Sequence, residues 1–179
     1  VDSSVCVHLL KEQGYEVGAL VLKMSDAHEQ TVQDAQKAAD QLGIPLLVKD
    51  MGERFDEQVI SYFVSEYGKG RTPNPCIVCN PLVKFKALID TADEAGYDLI
   101  ATGHYANLTF ESGITYLKRG DSLERDQSYM LYRLTQPVLK RLLLPLATLE
   151  KDRVREIATK IGLSCADKPD SQEICFIPD

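Results

Sequence analysis

A chain of 179 residues, 44% hydrophobic and 26% charged, is long enough to bury one good core and sets the expectation of a single globular domain. Its net charge of −7 excludes a protein that holds nucleic acid by bulk attraction, because phosphate contacts need clustered lysine and arginine; only a local basic face remains open. No apolar run approaches the roughly 20 residues of a membrane span, the first residues lack the basic-then-apolar pattern of a signal peptide, and five cysteines are an odd number for a disulfide framework, so a reducing, cytoplasmic setting without membrane contact is expected.

The predicted elements alternate at first. Ser3 to Gln13 has Val5, Leu9 and Leu10 at helical spacing and stops at Gly14, and Glu16 to Lys23 is a short apolar run of the kind that forms a buried strand. Gln30 to Leu42 is a helix stopped by Gly43, Pro45 to Lys49 a strand, and Arg54 to Tyr67 a helix with Phe55, Val59, Tyr62 and Phe63 inward. Leu82 to Ala95 is a further helix, and Tyr97 to Thr102 a strand running into Gly103-His104-Tyr105. This alternation predicts an α/β fold, a parallel sheet with helices on both faces, with ligands beyond the carboxyl ends of its strands.

The second half reads differently. Ala106 to Leu108 and Thr115 to Lys118 form a hairpin, helices are predicted over Ser128 to Leu134, Pro137 to Leu142 and Glu150 to Ile161, and Ser164 to Asp179 has no period, so that Cys175 falls on a loop. Residues 1–179 are expected to be one domain, with 1–105 as a nucleotide-binding core and 106–179 as hairpin, helices and the second-cysteine loop. Both ends are expected to be cut, since a helix opens the chain with no strand before it and the last residues follow directly on a motif.

Three segments carry chemistry. Asp2-Ser3-Ser4 at a helix start suits an N-cap, and equally a phosphate, because free first-turn amides and the positive end of the helix dipole attract anions. Cys76-Ile77-Val78-Cys79 follows a loop stiffened by Pro73 and Pro75, and Cys175 stands in Asp170-Ser171-Gln172-Glu173-Ile174-Cys175-Phe176. Lys84 and Lys86 are close to Cys79 in sequence, and a helix start or a nearby cation favours the reactive thiolate. Cys6 and Cys165 read as small inert hydrophobes. Candidate cations for a basic face are Lys69, Arg71, Lys84 and Lys86, then Lys118, Arg119, Arg125, Arg133, Lys140 and Arg141.

Val1-Asp2-Ser3-Ser4 resembles the end of the pyrophosphate (PP) loop of ATP pyrophosphatases. With Gly70 to Pro75, Cys79-Asn80, Lys84-Phe85-Lys86, Ala101 to Ala106, Asp126 to Tyr129 and Asp170 to Phe176 in order, the chain resembles the tRNA-specific 2-thiouridylase family, MnmA or TrmU, of the PP-loop superfamily. The resemblance implies a Rossmann-like domain lacking the start of its PP-loop and the family's downstream β-rich tRNA-binding domains. It implies adenylation of the C2 oxygen of a wobble uridine in tRNA, using ATP and Mg2+, and then sulfur transfer to that carbon. A sulfur donor, whether a persulfide carrier protein, a cysteine desulfurase or sulfide, would be a partner.

Residue by residue, it places the phosphates at Asp2, Ser3 and Ser4 and adenosine near Leu22 and Gly103. Cys79 matches the nucleophile and Cys175 the persulfide carrier. Cys76 stands where some members have Asp as an acid or base, a role a thiol does not automatically inherit. Asn74, Pro75 and Cys76 would line the pocket for a flipped base. His104 would contact tRNA near that base, and Arg125, Asp126 and Gln127 would contact tRNA elsewhere. The alternative to a persulfide relay is a [4Fe-4S] cluster on Cys76, Cys79 and Cys175, since thiolates are its usual ligands. Met24 to His28 replaces a longer loop of many relatives, which alters expected contacts there. An ATP pyrophosphatase with a small substrate, and a non-enzymatic tRNA-binding or cluster-carrying module, are the rival readings.

Overall fold

The computed structural model describes residues 1–25, 28–166 and 174–177. The Asp26-Ala27 part of the shortened loop and the Asp170 to Glu173 part of the last motif lie outside them. Helix α1 (Asp2–Glu12) buries Val5, Cys6 and Leu10, and leads to β1 (Ala19–Lys23), α2 (Glu29–Leu42) and β2 (Leu46–Asp50). Gly43 ends α2 with φ 61°, a left-handed backbone that glycine adopts without steric cost. Strands β1 and β2 pair in parallel from Ala19–Leu46 to Lys23–Asp50.

A long helical run follows in three parts, α3 (Gly52–Phe55), a π-helical turn (Asp56–Ile60) and α4 (Ser61–Gly68). Phe55 and Val59 face inward as expected, but Tyr62 is exposed, because the wider π turn rotates the residues beyond it. The next run starts earlier than its periodicity suggests. It comprises α5 (Pro75–Cys79), a second π-helical turn (Asn80–Lys84) and α6 (Phe85–Ala95). Pro75 at the first helical position and the Asn74 cap set this start, and Pro81, with no N–H to donate, falls in the π turn.

Strand β3 (Ile100–Ala101) pairs in parallel with β6 (Leu142–Leu143), and β4 (Ala106–Glu111) pairs antiparallel with β5 (Ile114–Arg119) as the expected hairpin. Two expectations in the second half change. The helix expected over Ser128 to Leu134 is a 3-10 turn (Ser128–Met130), because Asp126 takes hydrogen bonds from both the amide and the hydroxyl of Ser128. The helix from Pro137 shortens to α7 (Gln136–Leu139), and Leu142 goes to β6, where Ile100 donates to the carbonyl of Arg141 at 2.9 Å. The final helix is α8 (Lys151–Lys160).

The architecture is the α/β, Rossmann-like class, with parallel strands and helices on both sides. Between β1 and β3 lies a cavity of about 360 Å³, walled by Ala19 and Leu20 of β1, Ile100 and Ala101 of β3, α1 and α6. Three apolar clusters make the core: α1 with α8, α6 with the β3–β6 pair and hairpin, and a third on Phe55, Val59 and Val83. No helix among the described residues is long and apolar enough to cross a membrane.

Candidate functional site

The first corner of the site is the start of α1. The first-turn amides of a helix have no carbonyl partner within it, so they are available to an anion. Asp2 is not a capping residue here; Val1 occupies the cap position and no side chain caps the helix. The carboxylate instead receives the Tyr105 hydroxyl at 2.9 Å and the Lys151 ammonium at 2.8 Å on each oxygen. The Lys151 side chain is 7% exposed and Asp2 33%, so the pair is partly shielded from water. Ser3 is exposed on the cavity wall, while Ser4 is buried and accepts a thiol hydrogen bond from Cys165 at 3.8 Å.

Gly103 is at this corner for a steric reason. A Cβ on it would lie 3.0 Å from Cβ of Asp2 and 3.2 Å from the backbone of Asp2 and Ser3, so a side chain there would force the start of α1 to give by a few tenths of an ångström. Gly103 also lines the cavity, whereas Leu22 packs into the third apolar cluster. The two residues expected near adenosine therefore stand in different surroundings. The Asp2 carboxylate is held by the Lys151 ammonium.

The second corner is the cysteine pair. Asn74 caps α5, its side-chain oxygen accepting the Cys76 amide at 3.0 Å, and Pro75 is buried behind it. Cys79 lies within a continuous helical run, not ahead of one, so it does not gain from a helix start as its sequence position suggests. Cys175 returns to Cys76 and Cys79 closely enough for the thiols to influence one another. Burial, then the Cys175 charge, pushes the Cys79 thiol up to about 12, and burial raises Cys76 and Cys175 as well.

The cation that opposes this is Lys84, whose charge favours all three thiolates. Burial pushes Lys84 itself down, against the upward pull of the three cysteines. Lys86 turns away to pair with Asp90. Two positions apart on a helix, the two lysines point to opposite sides. All five cysteines are free, with Cys6 buried as expected and its thiol pushed up to about 12, chiefly by burial. Among the described residues, no group of three or more histidine, cysteine or acidic side chains stands ready to hold a metal ion, so the cluster reading gains no support from geometry.

His104 links the corners but is not presented to solvent. It is 8% exposed, its Nδ1 is 2.9 Å from the Thr102 hydroxyl, and its ring stacks on Phe85 at 6.0 Å. Burial and the nearby Lys84 hold it neutral, pushed down to about 3. Of the segment expected to meet tRNA, only Arg125 is exposed. Asp126 accepts the Gly120 amide at 3.1 Å besides its bonds to Ser128, and Gln127 exchanges hydrogen bonds with the backbone of Tyr105 at 3.0 and 2.8 Å. These two side chains hold the loop.

Sequence reasoning missed Lys151 and the Tyr105 hydroxyl. A signal for the lysine was available, because a cation in the first turn of a helix opposes the dipole and calls for a compensating carboxylate.

A family model described as the tRNA methyl transferase HUP domain matches residues 1–179. The tRNA-specific 2-thiouridylase MnmA of Clostridium acetobutylicum is 47% identical over all of this chain and 54% of its own length. That of Carboxydothermus hydrogenoformans is 48% identical over all of this chain and 53% of its own, and MnmA 1 of Clostridium tetani is 46% identical over all of this chain and 52% of its own. The chain spans about half the length of the curated relatives it matches.

Proposed function

Because the chain belongs to the tRNA methyl transferase HUP domain family, we propose that it is the nucleotide- and sulfur-handling part of a tRNA 2-thiouridylase, whose downstream portion helps to grip the tRNA. The observation that carries this reading is the return of Cys175 to Cys76, Cys79 and Lys84 from the far end of the chain. A nucleotide-binding enzyme with a small carboxylate substrate has no need of that convergence.

In this proposal the α1 amides and Ser3 hold the phosphates of ATP, with Lys151 beside them as a buried counter-charge. Magnesium would supply further charge neutralisation there. The uridine C2 oxygen attacks the α-phosphate, pyrophosphate leaves, and the site contributes orientation and electrostatics. Asn74, Pro75 and Cys76 shape the entrance for the flipped base, and Arg125 neutralises tRNA phosphate. His104, neutral and buried, supports the wall between the two corners.

Sulfur arrives on Cys175 as a persulfide from a donor. The Cys79 thiolate attacks the inner sulfur of Cys175, which expels hydrosulfide and leaves a Cys79–Cys175 disulfide. Hydrosulfide attacks C2, the C2–oxygen bond breaks and AMP departs. A thiol reductant returns the two cysteines to thiols. Lys84 favours the thiolate at the step that needs it.

The test uses the full-length protein with unmodified tRNA, ATP, Mg2+ and a persulfide donor, following AMP and 2-thiouridine by mass spectrometry. Thiouridine formation that stops in Cys79→Ala supports the proposal. No thiouridine and no tRNA-dependent AMP release would sink it.

A further inference from the structure

The turn that carries Cys175 is gripped through its neighbour. The Ile177 amide bonds the Ile174 carbonyl at 2.9 Å, closing a turn with Cys175 and Phe176 at its two central positions. Cys175 itself is exposed. Phe176 meets Phe55 with ring centroids 5.6 Å apart at 72°, and Phe63 at 5.3 Å and 88°. Both are edge-to-face contacts of the favourable kind.

The seat depends on the first π-helical turn. At about 100° per residue, residues eight apart on a regular α-helix differ by about 80° in direction. The wider Asp56–Ile60 turn between Phe55 and Phe63 takes up that difference, and both rings reach Phe176. Phe176 and Cys79 pack against the same apolar cluster, which includes Phe55, Val59 and Val83. With the ring in this seat, the adjacent Cys175 is held near Cys79.

We propose that Phe176 is a positioning residue for sulfur transfer, docking the Cys175 turn onto the Cys76–Cys79 helix by seating its ring between Phe55 and Phe63. The proposal rests on the sulfur-carrying assignment of Cys175 made above. It goes beyond it by making sulfur transfer, and not the nucleotide step, depend on an aromatic seat that carries no thiol and lies outside the phosphate corner.

The experiment takes the full-length protein as wild type, Phe176→Ala, Phe176→Leu and Phe63→Ala. Diamide oxidises thiols to disulfide, taking up two electrons and two protons from each pair, and the Cys79–Cys175 linkage is followed by peptide mapping. In parallel, tRNA-dependent pyrophosphate release and 2-thiouridine are measured. In Phe176→Ala and Phe63→Ala, cross-linking and thiouridine should each fall by at least about tenfold, equivalent to ~1.4 kcal/mol of docking, with pyrophosphate release unchanged and Phe176→Leu between. Wild-type cross-linking in the alanine variants overturns the proposal. So does a fall in pyrophosphate release as large as the fall in thiouridine, which would mark the seat as a general support of the fold. If wild type itself forms no thiouridine, the functional assignment fails, and the cross-linking comparison still decides the seat.

Discussion

The ammonium of Lys151 donates to both carboxylate oxygens of Asp2, each at 2.8 Å, joining the starts of two helices 149 residues apart in sequence. Removing the cation leaves a partly buried carboxylate with the Tyr105 hydroxyl alone among these partners. Lys151→Ala should lower stability by about 1–3 kcal/mol, below the range for a fully buried pair because Asp2 is one-third exposed. Urea denaturation checks this, and ATP affinity of the same variant should fall, as the phosphate corner loses its counter-charge.

Gly103→Ala tests the close approach of β3 to α1. The added methyl meets backbone atoms of Asp2 and Ser3 at 3.2 Å, which cannot rotate aside. A cost of about 1–3 kcal/mol is expected from such overpacking, seen as a lower thermal midpoint together with weaker nucleotide binding by calorimetry.

The buried thiols make the fold sensitive to alkali. Cys6 and Cys79 are held protonated up to about 12, against 9.0 for an ordinary thiol. The folded chain therefore binds more protons than the unfolded chain between these limits, and stability should fall as pH rises from 9 toward 12. Urea midpoints at pH 8 and pH 10 should converge in Cys6→Ala relative to wild type; an unchanged gap contradicts the assignment.

Lys84→Met should slow alkylation of Cys79 by iodoacetamide at a fixed pH at which Lys84 is charged, because the cation that favours its thiolate is removed. Lys86→Met should leave the rate unchanged, since that ammonium is paired with Asp90. Mass spectrometry of the modified peptide measures both.

Arg125 and Asp126 should separate although adjacent. Arg125→Ala on the full-length protein should weaken tRNA binding with a shallower salt dependence and little change in thermal midpoint. Asp126→Ala should cost about 1–3 kcal/mol of stability, because the amides of Gly120 and Ser128 and the Ser128 hydroxyl lose their acceptor.

The sequence alone determined the elements whose apolar period is long or whose ends are marked: α1, α2 and its Gly43 stop, β1, β2, the hairpin and α8. It also singled out the three cysteines and the start of α1, because thiols and an acidic-serine helix start carry their chemistry in residue type. The tertiary structure decided what depends on partners distant in sequence. β6 exists because Leu142 and Leu143 find β3, and two residues are too few for any period to register. Asp2 became the partner of Lys151 instead of a helix cap, Lys84 and not Lys86 became the cation of the thiol corner, and His104 turned inward onto Phe85. A π-helical turn changes which side chains share a face without changing composition, so the alignment of Phe55 with Phe63, and the seat it makes for Phe176, was visible only once the chain had folded.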